Sequence, residues 1–156
     1  MAGSDPTRVV ADADVLAADL LVGGPARAAL DHLRRHSWMT LVASDPLLDD
    51  AEAVIAALSA AELADDWRER IERDRERVDH PAGDHPALAS AYRGGAAHLL
   101  TYEASLRSAR TGLSIQPHAD LSVRPPDAFA RLFDAAALYE AIHDDAYPGP
   151  DRDPRA

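Results

Sequence analysis

Short apolar runs that end in an acid alternate along this chain with longer stretches of helical period. That alternation constrains the fold more than any other feature. The segment Arg8 to Ala13 carries Val9-Val10-Ala11 and ends on Asp12, which suits a strand buried inside a parallel sheet. Val15 to Val22 is then an apolar helical stretch closed by Gly23-Gly24, and Pro25 opens a second helix whose inward face is Ala26, Ala29, Leu30 and Leu33. Trp38 to Ala43 reads as a second strand. Asp45-Pro46 reads as an N-cap with proline in the first turn, followed by Leu47, Ala51, Val54, Ile55 and Leu58 at helical spacing.

Residues 59 to 78 form a charged helical excursion. Leu63, Trp67, Ile71 and Val78 give it a narrow apolar stripe, and Asp66 with Arg70 and Glu69 with Arg73 stand four apart as ion pairs. A loop covers Asp79 to Asp84. Asp84 ahead of Pro86 opens a helix that stops at Gly94-Gly95, and Ala96 to Thr101 is a third strand. Glu103 to Arg110 is expected as a short helix, with a last extended piece within Gly112 to Val123 and an amphipathic helix from Asp127 to Ile142. Alternating strands and helices imply an α/β fold: a three-layer α/β/α sandwich around a parallel sheet of four or five strands. The reading divides the chain into a flexible N-terminus at 1–7, one domain at 8–146 and a disordered, proline-rich tail at 147–156.

One core suffices for a chain of 156 residues. Cysteine is absent, so disulfide frameworks and thiolate metal sites are excluded. Neither a leader-like N-terminus nor a run of the roughly 20 apolar residues a membrane span needs is seen, so a cytoplasmic protein is expected. The 27 acids face 16 cations, all of them arginine. A lysine-free acidic composition resembles that of extreme halophiles, where net charge preserves solubility. At molar salt the Debye length falls to about 3 Å, so a formal charge of −11 does not exclude an RNA partner.

In open parallel sheets ligands bind beyond the carboxyl ends of the strands, which singles out acids at those ends. Asp12 and Asp14 bracket the end of the first strand and point to one side if extended geometry persists through Ala13. Asp50 lies about 60° from Leu47 around its helix, whereas Asp49 points away, making Asp50 the inward candidate. Asp84 sits at a helix N-terminus, and Glu103 lies two residues beyond Thr101. His32 and His36, four apart with no third ligand nearby, read as core histidines rather than metal ligands.

These pieces together resemble the PIN-domain (PIN-like nuclease) family, in a halophilic archaeal form. They are Val9-Val10-Ala11-Asp12-Ala13-Asp14-Val15-Leu16, Ser44-Asp45-Pro46-Leu47-Leu48-Asp49-Asp50, Asp84 leading into Leu88-Ala89-Ser90-Ala91, Ala96-Ala97-His98-Leu99-Leu100-Thr101-Tyr102-Glu103, and Pro125-Pro126-Asp127-Ala128-Phe129. Their order and spacing match over roughly residues 8 to 135. The resemblance implies a magnesium- or manganese-dependent ribonuclease with Asp12, Asp50, Asp84 and Glu103 as its catalytic acids. It implies metal ligation by Asp12, Asp14, Asp84 and Glu103. Thr101, Arg93 and Arg107 are its candidate substrate contacts. It also suggests the toxin of a toxin–antitoxin pair, with RNA, an antitoxin protein and a second copy of the chain as partners. Asp50 stands where the family usually has Glu, and Glu103 where it usually has Asp. Those departures leave a catalytically degenerate RNA-binding or protein-interaction module as the alternative.

Asp12-Ala13-Asp14 also fits the first motif of haloacid-dehalogenase-type phosphatases and the acidic pocket of response-regulator receivers. Both patterns call for a lysine, which this chain lacks.

Overall fold

The computed structural model describes residues 4–106 and 121–156. Five parallel strands form one sheet: β1 (Asp5–Ala11), β2 (Thr40–Ala43), β3 (Arg75–Arg77), β4 (Ala96–Leu100) and β5 (Ser122–Arg124), in the order β3-β2-β1-β4-β5. Among the described residues seven helices cover it: α1 (Ala13–Leu21), α2 (Gly24–Arg34), α3 (Asp45–Leu58), α4 (Ala61–Asp74), α5 (Pro86–Gly94), α6 (Pro126–Leu132) and α7 (Ala135–His143). The arrangement is the expected three-layer α/β/α sandwich.

β1 lies at the centre of the sheet. Val9, Val10 and Ala11 are all buried, which is why this strand is apolar on both faces. It starts at Asp5, not at the expected Arg8. The Asp5 amide donates to Gly95 O at 2.7 Å, so the segment expected to be flexible is drawn into the ladder. α5 packs against β1, β2 and β4, while α3 bridges α1 and α4, and α2 packs on α1 and α6. Gly94 ends α5 where a Cβ would stand 2.5 Å from Val42 Cγ1, and Gly95 takes a left-handed φ of 62°. Glycine is required at the first for space and favoured at the second for conformation.

Several boundaries differ from the sequence reading for local reasons. The charged excursion is helix only to Asp74, because Arg75-Glu76-Arg77 continues as β3. This edge strand has no apolar alternation to announce it. Polar contacts hold it instead: Arg75 Nη1 donates to Ala43 O at 2.9 Å, its Nη2 donates to Asp45 at 2.6 Å, and Glu76 pairs with Arg8. The single helix expected over Asp127 to Ile142 is two, because Asp134 caps a new one by accepting from Ala137 N at 3.0 Å. The expected helix from Glu103 to Arg110 is only a turn through Leu106, and its remainder lies outside the described residues.

The tail expected to be disordered is docked on the C-terminal end of α2. Tyr147 Oη meets His36 Nε2 at 2.6 Å, the Ser37 amide donates to Asp151 at 2.8 Å, and Arg152 donates to the carbonyls of Leu33 and His36. Arg155 reaches Asp31 at 2.6 Å. Four short-range polar anchors fix a segment whose composition predicts disorder. His32 and His36 are occupied by protein groups: His32 Nε2 meets Ala130 O at 3.1 Å, and His36 Nδ1 meets His32 O at 2.6 Å. No described helix is long and apolar enough to cross a membrane.

Candidate metal centre

The chain leaves β1 toward β2 and β3, then returns to place β4 on the other side of β1. The sheet therefore has a switch point between the carboxyl ends of β1 and β4, where open α/β sheets form a crevice. Asp12 follows one of these strands and Thr101 the other.

Asp12 is buried and its carboxylate is fixed from two sides. Oδ1 accepts from Ala13 N at 2.8 Å, capping α1, and Oδ2 accepts from the Thr101 hydroxyl at 2.8 Å. The Asp12 amide donates to Leu100 O at 2.8 Å, which ties the cap to the end of β4. Thr101 is fully buried, and its Oγ1 also accepts from Glu103 N at 3.0 Å. One hydroxyl thus orients two acids. Thr101 thus orients a site acid through its hydroxyl, and both its donor and its acceptor face inward.

Asp14 lies in the first turn of α1, since the helix begins at Ala13 and the extended geometry expected there does not persist. It nonetheless stays at the same rim. Its Oδ2 accepts from Tyr102 N at 3.1 Å, while Oδ1 is buried and finds no hydrogen-bond partner among the described residues. Burial holds the Asp14 carboxyl above the usual aspartate range, and the charges of Asp12 and, more weakly, Glu103 push it the same way.

His85 completes the group, and the sequence reading missed it. Ligand atoms of Asp12, His85 and Glu103 all lie within 4.8 Å of one another. His85 is the N-cap of α5, with Nδ1 accepting from Ala87 N at 3.3 Å. That contact leaves the proton of the neutral ring on Nε2, which faces Glu103 Oε2 at 3.4 Å. The signal was present: a proline at the first helical position makes the residue before it the cap, and Pro86 follows His85.

The other expected acids stand apart. Asp84 is exposed one residue before the cap and is outside the cluster. Asp50 is exposed and outside it as well. Leu48 is buried along with Leu47, Ala51 and Ile55, so the inward direction of α3 is rotated away from Asp50, to about 115° by the helical period. Asp49 does point away, into an ion pair with Arg68 at 2.7 Å. Arg93 is exposed in the last turn of α5, and Arg107 lies outside the described residues.

At the neighbouring strand end, Ser44 caps α3 and its Oγ meets His80 Nε2 at 2.9 Å. Ser44 is fully buried, so this serine–histidine contact is a clasp between the β2 terminus and the loop before α5.

The donor set suits a hard divalent cation. Two carboxylates converge, a third is half-buried beside them, and the orphaned Asp14 Oδ1 is a polar atom whose burial calls for a partner. His85 fits better as a hydrogen-bond donor to Glu103, because ligation through Nε2 would displace the proton that the cap contact leaves there.

No curated protein and no solved structure matches this chain. A family model described as "Family of unknown function (DUF7384)" matches residues 3–155, and the chain belongs to that family.

Proposed function

We propose that the chain is a magnesium- or manganese-dependent ribonuclease that hydrolyses phosphodiester bonds at the switch-point crevice. The observation that carries this reading is the convergence of Asp12, Glu103 and His85, with the unpartnered Asp14 Oδ1 beside them. Uncompensated, the charges of the three carboxylates oppose one another, and a cation among them relieves that cost. When bound, such an ion neutralises phosphate oxygens and lowers the pKa of a coordinated water.

The protein's own groups supply the rest. Thr101 holds the Asp12 carboxylate and the Glu103 backbone in register. Asp12 and Glu103, with Asp14, provide the oxygens that would hold the ion. His85 presents its N–H at Nε2 to the same space, where it can donate a hydrogen bond to a phosphate oxygen.

Purified protein incubated with RNA and Mn²⁺ in high salt is expected to cleave it, and Asp12→Asn is expected to abolish cleavage. Cleavage that survives Asp12→Asn, or the absence of both cleavage and a metal-linked rise in melting temperature, would remove the proposal. One observation favours a second reading. Asp50 and Asp84 stand outside the cluster, which leaves fewer acids than the family resemblance implies and suits a degenerate RNA-binding module. RNA binding without cleavage, unaffected by chelation of metal, would select it.

A further inference from the structure

A second cavity, about 590 Å³ in volume, opens between α2 and α4 at the amino end of β2. It lies at the opposite end of the sheet from Asp12 and Thr101, because Met39 and Leu41 line it. Its size is that of a site for a small molecule. Leu30, Leu33, Met39, Trp67 and Ile71 form an apolar floor. The rim is cationic: Arg70 and Arg73 come from α4, Arg27 from α2 and Arg152 from the docked tail.

The rim gathers four arginines in a chain with 27 acids and 16 arginines. Several arginines elsewhere are neutralised by acids: Arg68 alone meets Asp49, Glu52 and Glu72 within 3.0 Å. Helical spacing predicts Asp66 and Glu69 as partners for Arg70 and Arg73, yet neither pair forms among the described residues. Both residues line the cavity instead. Arg27 and Arg152 spend their hydrogen bonds on backbone carbonyls, which leaves their charge uncompensated by a carboxylate contact. Among the lining acidic side chains, Asp19 is already paired with Arg34, and Asp74 and Asp153 stand against four cations.

We propose that this cavity binds a small organic anion with a planar apolar body and a phosphate, sulfonate or carboxylate head. The flat body lies over Trp67 and the aliphatic floor, and the head meets the forks of Arg70 and Arg73. The tail forms one wall, so a bound ligand also holds residues 152–156 in place. The inference is independent of any reaction at the carboxylate cluster.

The probe is 8-anilinonaphthalene-1-sulfonate, titrated into the full chain in a salt that keeps it folded. One saturable site per chain is expected, with quenching of tryptophan emission. The double substitution Arg70→Gln/Arg73→Gln, on exposed positions, is expected to weaken binding at least fivefold with an unchanged thermal melt. Asp12→Asn is expected to leave the affinity as it is. Absence of saturable binding, equal affinity in the double variant, or a loss caused by Asp12→Asn would each overturn the proposal.

Discussion

The Thr101 hydroxyl donates to Asp12 Oδ2 at 2.8 Å across the switch point between β4 and β1, and the same oxygen accepts the Glu103 amide at 3.0 Å. Residues 89 positions apart are thereby locked in one geometry inside a fully buried contact. The Asp12 carboxylate and the Glu103 backbone are held together at this point, which is how a rigid strand end preorganises a site.

Replacing Thr101 with valine keeps the shape of the side chain and removes both bonds. It leaves Asp12 Oδ2 and the Glu103 N–H without these partners, at a cost of roughly 1–3 kcal/mol. The urea midpoint of Thr101→Val should fall accordingly, while Thr101→Ser retains most of the stability. Equal midpoints for valine and wild type would show that the hydroxyl positions nothing.

Metal linkage separates the acids the structure gathers from those it leaves out. In Asp50→Asn and Asp84→Asn the rise of melting temperature with Mn²⁺ should match wild type, and in Asp12→Asn and Glu103→Gln it should disappear. Asp14→Asn carries two expectations. Because burial and the Asp12 charge hold that carboxyl above its usual range, its ionised form opposes folding at neutral pH, so the metal-free variant should melt higher, on the order of 2 °C. Its Mn²⁺-linked rise should be lost. A metal-free variant that melts lower than wild type would count against the repulsion.

Stability should decline on mild acidification because of His98. Burial, and then the charge of Arg124, holds its pKa below the ordinary histidine value of 6.5, and its buried Nδ1 has no hydrogen-bond partner among the described residues. Above that value neither state carries the proton. As pH falls below it the unfolded chain binds a proton that the folded chain refuses, so stability drops until the folded value is reached. Thermal melts between pH 7.5 and 5.5 should show this slope, with His98→Leu flattening it by up to about 1.4 kcal/mol per pH unit. His32, also held low by burial, contributes to what slope remains. An identical slope in His98→Leu would refute the assignment.

How much of the site was legible depended on how locally each residue is determined. Asp12, Thr101 and Glu103 sit at or just past strand ends that apolar runs mark clearly, and the structure places them together. The sequence reading opens the helix at Asp84, one residue before the cap His85, and one residue at a helix start changes which side chain faces the rim. Asp50 was placed by its angle to Leu47 alone. Burial of Leu48 moved the inward direction of α3, and no single-helix argument contains the neighbours α1 and α4 that set it.

The order of strands and helices followed from the chain itself, because apolar runs at two periods and proline–glycine punctuation are local properties. So did the acidic, cysteine-free, all-arginine chemistry. Tertiary structure decided what lies far apart in sequence: that the polar piece Arg75–Arg77 becomes an edge strand, that residues 147–156 dock on α2, and that Arg70 and Arg73 line a cavity with no ion-pair partner among the described residues. Each of these rests on hydrogen bonds, burial or charge shared between distant segments. Such contacts exist only once packing has brought those segments together.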